Sequence, residues 1–64
     1  MTVRDLLSLL REDGWEVTRI RGSHRQLRHN DKSGTVTVAG NLGLDMPIGT
    51  LKAILKQAGI EGRR

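Results

Sequence analysis

The chain has 64 residues, with 11 Lys and Arg against 7 Asp and Glu, and its formal net charge is +4. A chain of this length buries only about 60% of the surface that its unfolded form exposes, so its small core excludes a deep ligand pocket and places any chemistry on a surface or in a shallow groove. The absence of cysteine excludes disulfides and thiolate sites and fits a reducing cytoplasm, and we expect neither a membrane span nor a signal peptide.

An amphipathic pattern predicts a first helix over residues 3–13. The apolar positions that share its broad face are Leu6, Leu7, Leu9 and Leu10. Thr2 is the expected N-cap, with Asp5 three residues later at the positive end of the helix. Gly14 is the expected stop, because glycine readily adopts the left-handed conformation that closes a helix.

Three short strands are predicted to follow, at residues 15–21, 24–29 and 35–38. The segments between them are rich in Gly, Ser, Asn and Asp, which turns require, so we expect an antiparallel meander. In the first strand Trp15 and Val17 share one side but Ile20 falls on the other. This imperfect alternation indicates a bulge or a strong twist.

An irregular loop is expected over residues 39–46, before a last helix over about residues 48–58. Apolar residues recur there at the i, i+3, i+4, i+7 spacing of a buried helical face. Gly59 is expected to end this helix, with Ile60 folding back onto it in a Schellman-type contact. Residues 61–64 are expected to form a frayed tail.

Together these elements predict an α+β fold in the order α-β-β-β-α, forming a single domain over residues 1–64. Each amphipathic helix must cover apolar surface, and the three-stranded antiparallel sheet has one apolar face available. We therefore expect both helices on that face. The opposite face stays open, and a flat, extended ligand such as RNA could lie on it.

Positive charge is concentrated between residues 19 and 32. The basic residues of this stretch are Arg19, Arg21, Arg25, Arg28 and Lys32. Asp31 is the single acid among them, and the other acids of the chain lie outside the stretch. Such a cluster favours a polyanionic partner, although a solvated charged surface would carry the same residues.

His24 is the candidate catalytic residue. Leu27 is the one large apolar residue of the second strand and is expected to face the core, together with Arg25 and His29, which share its parity. His24 has the opposite parity and should lie on the open face beside Arg28. A histidine there can move protons in RNA cleavage while arginines stabilise phosphate charge. The alternative is an exposed histidine that only contacts phosphate.

The other candidate sites are weaker. His29 lies on the side of Leu27, or at the strand end, and is interpreted as structural. The two histidines point to opposite faces of the strand and no cysteine accompanies them, so we expect no metal site and no cofactor. Trp15 is interpreted as the largest side chain of the core.

Four segments of the chain, in the same order, resemble the HicA (YcfA-like) mRNA interferase toxins. They are Gly14-Trp15, the run from Arg19 to Leu27 with its Gly22-Ser23-His24 turn, Val36-Thr37-Val38, and the run from Gly49 to Ile60. The resemblance covers nearly the whole chain, and the Gly-Ser-His segment and the last helix are together quite specific.

This resemblance implies a double-stranded-RNA-binding-like fold and a ribonuclease that cleaves mRNA. It also implies a HicB-type antitoxin that covers the active face, and it places the family's catalytic histidine at His24. The expected RNA contacts are then Arg19, Arg21, Ser23, Arg25, Arg28 and Lys32. The family often carries an aromatic residue where Leu27 stands, and the loop at residues 39–46 differs from the family's usual composition.

Three functions remain open at this point. The first is a metal-independent endoribonuclease toxin with His24 as its general acid or base. The second is a non-catalytic RNA-binding module on the same fold, because binding needs charge but no group that titrates near neutral pH. The third is a small interaction protein whose basic face meets an acidic partner.

Overall fold

The computed structural model describes residues 1–60. Its elements follow the order α-β-β-β-α: α1 (Val3–Asp13), β1 (Trp15–Arg21), β2 (His24–His29), β3 (Val36–Ala39) and α2 (Ile48–Gln57). The predicted α+β class and element order are confirmed, and they are compatible with a double-stranded-RNA-binding-like fold.

Helix α1 begins and ends as its sequence predicts. The Thr2 hydroxyl accepts a hydrogen bond from the Asp5 backbone N–H at 3.1 Å, and the Asp5 carboxylate accepts one from the Thr2 N–H at 3.5 Å. This reciprocal pair is a capping box, which satisfies two N–H groups that the helix leaves unpaired. Gly14 closes the helix with a φ of 109°.

The three strands form one antiparallel sheet in the order β1-β2-β3. Val17 pairs with Leu27 and Arg19 pairs with Gln26, so Thr18 is an extra residue in β1. This is the irregularity that the alternation predicted. Because of it, Ile20 returns to the same side of the sheet as Val17.

Both helices pack on one face of the sheet, as predicted. A single cluster contains buried residues of α1, α2 and all three strands. The sheet contributes its side chains of one parity, namely Trp15, Leu27, Val36 and Val38. The other parity is exposed along the strands, which leaves the second face of the sheet open.

Helix α2 ends in the predicted Schellman motif. The Ile60 N–H donates to the Leu55 carbonyl at 3.0 Å and the Gly59 N–H to the Lys56 carbonyl at 3.1 Å, while Ile60 is 1% exposed. Strand β3 starts one residue later than predicted, because its pairing with β2 ends at Val36 opposite Leu27. The Thr35 carbonyl just before it accepts a hydrogen bond from the Gln57 side chain at 2.8 Å. The tail predicted for residues 61–64 lies outside the described residues.

The loop between β3 and α2 is held against the start of α1. The Val3 N–H donates to the Leu44 carbonyl at 2.9 Å, and the Arg4 N–H donates to the Leu42 carbonyl at 3.0 Å. These two N–H groups belong to the first turn of α1, where a helix offers them no partner of its own. The loop therefore completes the helix start while it crosses from the sheet to α2.

Candidate functional site

His24 lies on the open face of the sheet, at the start of the central strand. It pairs with Arg21 of β1 on one side and with Ala39 of β3 on the other. Residues that pair directly across strands have Cβ atoms about 5 Å apart. The imidazole therefore has a guanidinium-bearing neighbour on one side and only a methyl group on the other, so it is open to a ligand.

The next row of the open face consists of Arg19, Gln26 and Thr37. Gln26 pairs with Arg19 of β1 and with Thr37 of β3, and all three side chains are exposed. These side chains combine a cation, an amide and a hydroxyl. Together they can meet phosphate, sugar hydroxyl and base-edge groups of a nucleic acid.

The two rows enclose a shallow depression of about 430 Å³. Its lining residues are Arg19, Arg21, His24, Gln26 and Thr37. One imidazole thus stands among two guanidinium groups and two neutral hydrogen-bonding groups. The depression is a surface feature of the sheet, which agrees with the expectation that so small a core places chemistry in a shallow groove.

The backbone just before His24 is fixed by hydrogen bonds. Gly22 adopts a φ of 61° in the tight turn that leads into β2. The Ser23 carbonyl accepts from the Gly40 N–H at 3.2 Å and from Arg25 Nη1, also at 3.2 Å. Arg25 Nη1 also donates to the Gly40 carbonyl at 2.9 Å. These contacts tie the turn to the loop after β3 and so position His24.

The open face is positively charged. Arg19, Arg21 and Arg28 are exposed on it, and among residues 1–60 none of the three forms an ion pair. The acid on this face is Glu16, which pairs with Arg28 in the strand register, two rows away from His24. The charge around the depression is therefore free to meet an anion.

Two of the sequence-predicted RNA contacts lie elsewhere. Arg25 shares the helix side of the sheet with Leu27, and its guanidinium bonds to the turn described above. Lys32 Nζ donates to Asp13 Oδ2 at 2.6 Å and to the Ala58 carbonyl at 3.0 Å, between the ends of the two helices. The structure brings Arg19 and Arg21 together with His24, places Ser23 in the adjoining turn, and leaves Arg25 and Lys32 off this face.

His29 is a structural residue, as predicted. Its side chain is 8% exposed, and its ring meets that of Trp15 edge to face at 5.3 Å between centroids. Nδ1 accepts from the Asp31 N–H at 2.9 Å, so Nε2 carries the proton that it donates to the Asp13 carbonyl at 2.6 Å. Both ring nitrogens are engaged in holding the fold.

Sequence reasoning did not single out Gln26 and Thr37 as site residues. Strand parity was the available signal, because neighbouring residues of a strand point to opposite faces. Gln26 is next to the inward-facing Leu27, and Thr37 lies between two inward-facing valines, so both belong to the open face. What sequence could not show was the register of β2 against β3, which places Thr37 opposite Gln26.

The described part of the chain offers no group of three or more His, Asp and Glu that could hold a metal ion. Nor does it contain a helix with the length and apolar character that crossing a bilayer requires.

Comparison with known families agrees with this arrangement. The family model for the HicA toxin of bacterial toxin–antitoxin systems matches residues 3–60, which include both helices and all three strands. A search of curated proteins finds no match. The family match spans the sheet and the turn that carry His24, and the chain therefore belongs to the HicA toxin family, the toxin component of bacterial toxin–antitoxin systems.

Proposed function

We propose that this toxin is a metal-independent endoribonuclease that cleaves mRNA in the cytoplasm, with His24 as its general acid or base and a HicB-type antitoxin as its inhibitor. The observation that carries the proposal is the depression on the open face, where one exposed imidazole shares the lining with the two arginines of β1 and with the polar side chains of Gln26 and Thr37. No cofactor is needed for this chemistry.

The chemistry requires one proton to leave and one to arrive. The ribose 2′-hydroxyl loses its proton and attacks the adjacent phosphorus, and the 5′-oxygen that leaves is protonated. Histidine is the side chain whose ordinary charge change lies near neutral pH, so His24 can serve in either transfer. The other lining residues within residues 1–60 are arginines, glutamine and threonine, which are not proton carriers near neutral pH, so the other proton is exchanged with water.

The arginines supply the electrostatic part of the mechanism. Negative charge accumulates on the non-bridging phosphate oxygens as the 2′-oxygen attacks, and fixed cations stabilise that charge. Arg21 pairs with His24 and Arg19 follows in the next row, so both can reach the phosphate that His24 serves. We propose that Arg28 on the same face and Ser23 in the adjoining turn make further contacts to the RNA backbone.

The antitoxin is proposed to silence the toxin by covering His24 and the basic open face. A +4 chain with unpaired surface arginines associates fastest with a partner of opposite charge, so we expect an acidic antitoxin. A complex that leaves His24 accessible to RNA would contradict inhibition by direct occlusion.

The test compares His24→Ala and His24→Gln with the wild type. Proton transfer by a positioned side chain contributes about 10²–10⁴ in rate, so both variants should lose roughly that much cleavage. Glutamine keeps a hydrogen-bonding group of similar size, and it separates proton transfer from simple phosphate contact. The purified proteins are assayed on RNA with a metal chelator present, and growth of cells expressing them is recorded.

Lys52→Gln, on the exposed side of α2, is the matched surface control and should cleave like the wild type. A folded His24→Gln that cleaves at the wild-type rate would refute the assignment of His24. Wild-type protein that binds RNA but never cleaves it would favour a non-catalytic RNA-binding module, which the exposed arginines of the open face also suit. Loss of wild-type cleavage on chelation would mean that a metal takes part.

A further inference from the structure

A second concave surface lies on the helix side of the sheet, and we call it the α1–β1 groove. It has a volume of about 270 Å³ and runs between α1, β1 and the loop after β3. It shares no lining residue with the depression around His24. An inference about this groove therefore stands apart from the proposed ribonuclease activity.

The groove has an exposed apolar lining. Ile20 of β1 is 64% exposed and Leu42 of the loop is 42% exposed, while Leu7 and the partly buried Val17 form the floor. The extra residue at Thr18 is what turns Ile20 to this side. Ile20 and Leu42 thus expose aliphatic surface, and a partner that covers this surface removes it from water, which favours binding.

The same groove is lined by three arginines. Arg4 and Arg11 come from α1 and Arg25 comes from β2. No carboxylate is found among the described residues that line the groove, and within residues 1–60 none of these arginines forms an ion pair. The hydrogen-bond partners of Arg25 are neutral carbonyls, so its charge is also uncompensated.

We propose that the α1–β1 groove binds an acidic segment of a protein partner that carries aliphatic side chains. The aliphatic side chains would cover Ile20 and Leu42, and carboxylates beside them would pair with the arginines. RNA is a less favourable ligand for two reasons. The described lining of the groove has no aromatic side chain on which a base could stack, and isoleucine and leucine make no favourable contact with a charged phosphate backbone. Because the groove and the His24 depression lie on opposite faces of the sheet, both can be occupied at once.

The experiment uses the whole chain and a synthetic peptide with a central leucine pair flanked by glutamates, about six residues or ~20 Å when extended. Two comparison peptides carry glutamine in place of glutamate or alanine in place of leucine. Binding is followed by NMR amide shifts of the isotope-labelled protein. We expect the acidic leucine peptide to bind most tightly and to shift the amides of Ile20 and Leu42.

Ile20→Gln should weaken that binding roughly tenfold or more, the change that corresponds to losing one buried aliphatic side chain. Ile48→Gln is the matched control, because Ile48 is 68% exposed but lies at the start of α2, away from the groove, and it should leave binding unchanged. Arg11→Gln should weaken binding a few-fold, and the loss should shrink in high salt, whereas Lys52→Gln should have no effect.

Four outcomes would overturn the proposal. The first two are that the acidic leucine peptide does not bind at about 1 mM, and that Ile20→Gln and Ile48→Gln weaken its binding equally. The third is that the peptide shifts only amides of the His24 face. The fourth is that a short RNA displaces the peptide and shifts the Ile20 amide. If the peptide still binds in the presence of an RNA that shifts the His24 amide, the two ligands occupy separate faces and the proposal is supported.

Discussion

Two histidines of one strand show how much the surroundings of a single residue decide its role. His24 is exposed at the start of β2, whereas His29 at its end is partly buried, packs against Trp15 and is hydrogen-bonded through both ring nitrogens. The two side chains have the same chemistry. Only the one without structural partners is free to serve a substrate.

This contrast predicts effects of very different size on the free energy of unfolding. His29→Ala removes two hydrogen bonds and an edge-to-face ring contact, so it should lower the free energy of unfolding by about 2–3 kcal/mol. His24→Ala removes an exposed side chain and should change it by no more than ~0.5 kcal/mol. Urea unfolding of both variants checks this, and equal losses would show that His24 also supports the fold.

At the scale of elements, β2 and the turn after it distribute the basic residues among three environments. Arg28 is exposed on the open face, Arg25 binds carbonyls on the helix side, and Lys32 links the C-terminal ends of α1 and α2. An ammonium group at the C-terminal end of a helix also interacts favourably with the helix dipole. Basic residues that are close together in sequence are thus divided between an exposed surface and structural contacts.

The division predicts different salt dependences of RNA binding. Arg28→Gln should lower the slope of log affinity against log salt by ~0.7, the contribution of one phosphate contact on a single strand. Lys32→Met keeps the aliphatic stem, and it should leave that slope unchanged while lowering the free energy of unfolding by about 1–2 kcal/mol. Lys52→Met is the exposed control for both measurements. A reduced slope in Lys32→Met would place Lys32 in the RNA interface after all.

The elements themselves could be predicted because their signals are local. The helix caps, the turn residues and the alternating valines of β3 each lie within a few residues of the structure that they specify. Strand parity predicted the side of the sheet on which Arg25 lies, but the contacts of Lys32 with Asp13 and Ala58 and that of Arg25 with Gly40 could not be predicted, because these partners are distant in the chain. Only the assembled fold brings these groups together.

At the scale of the whole molecule, residues 1–60 share one small core, and the His24 depression and the α1–β1 groove lie on opposite faces of the sheet that covers it. Every buried hydrophobic side chain of residues 1–60 belongs to the same cluster, and no buried charged residue is found among them. So small a core makes stability marginal, and a partner that binds only the folded state then raises it by mass action.

An acidic antitoxin should therefore stabilise this toxin as well as silence it. At a free concentration of about a hundredfold its Kd, binding adds ~2.7 kcal/mol to the free energy of unfolding. Thermal unfolding with increasing antitoxin should show a rising Tm, accompanied by loss of RNA cleavage. A rise in Tm without inhibition would mean that the antitoxin binds a surface other than the His24 face.

The extra residue in β1 has a consequence for how the length of this protein can vary during evolution. Thr18 has no partner in the pairing register, so a chain lacking it keeps Val17 opposite Leu27 and Arg19 opposite Gln26 in a regular ladder. Strand β2 has no such spare position: loss of Gln26 would turn either Leu27 or His24 to the wrong face. Single-residue deletions in homologues should therefore be found at the position of Thr18 and be absent from β2.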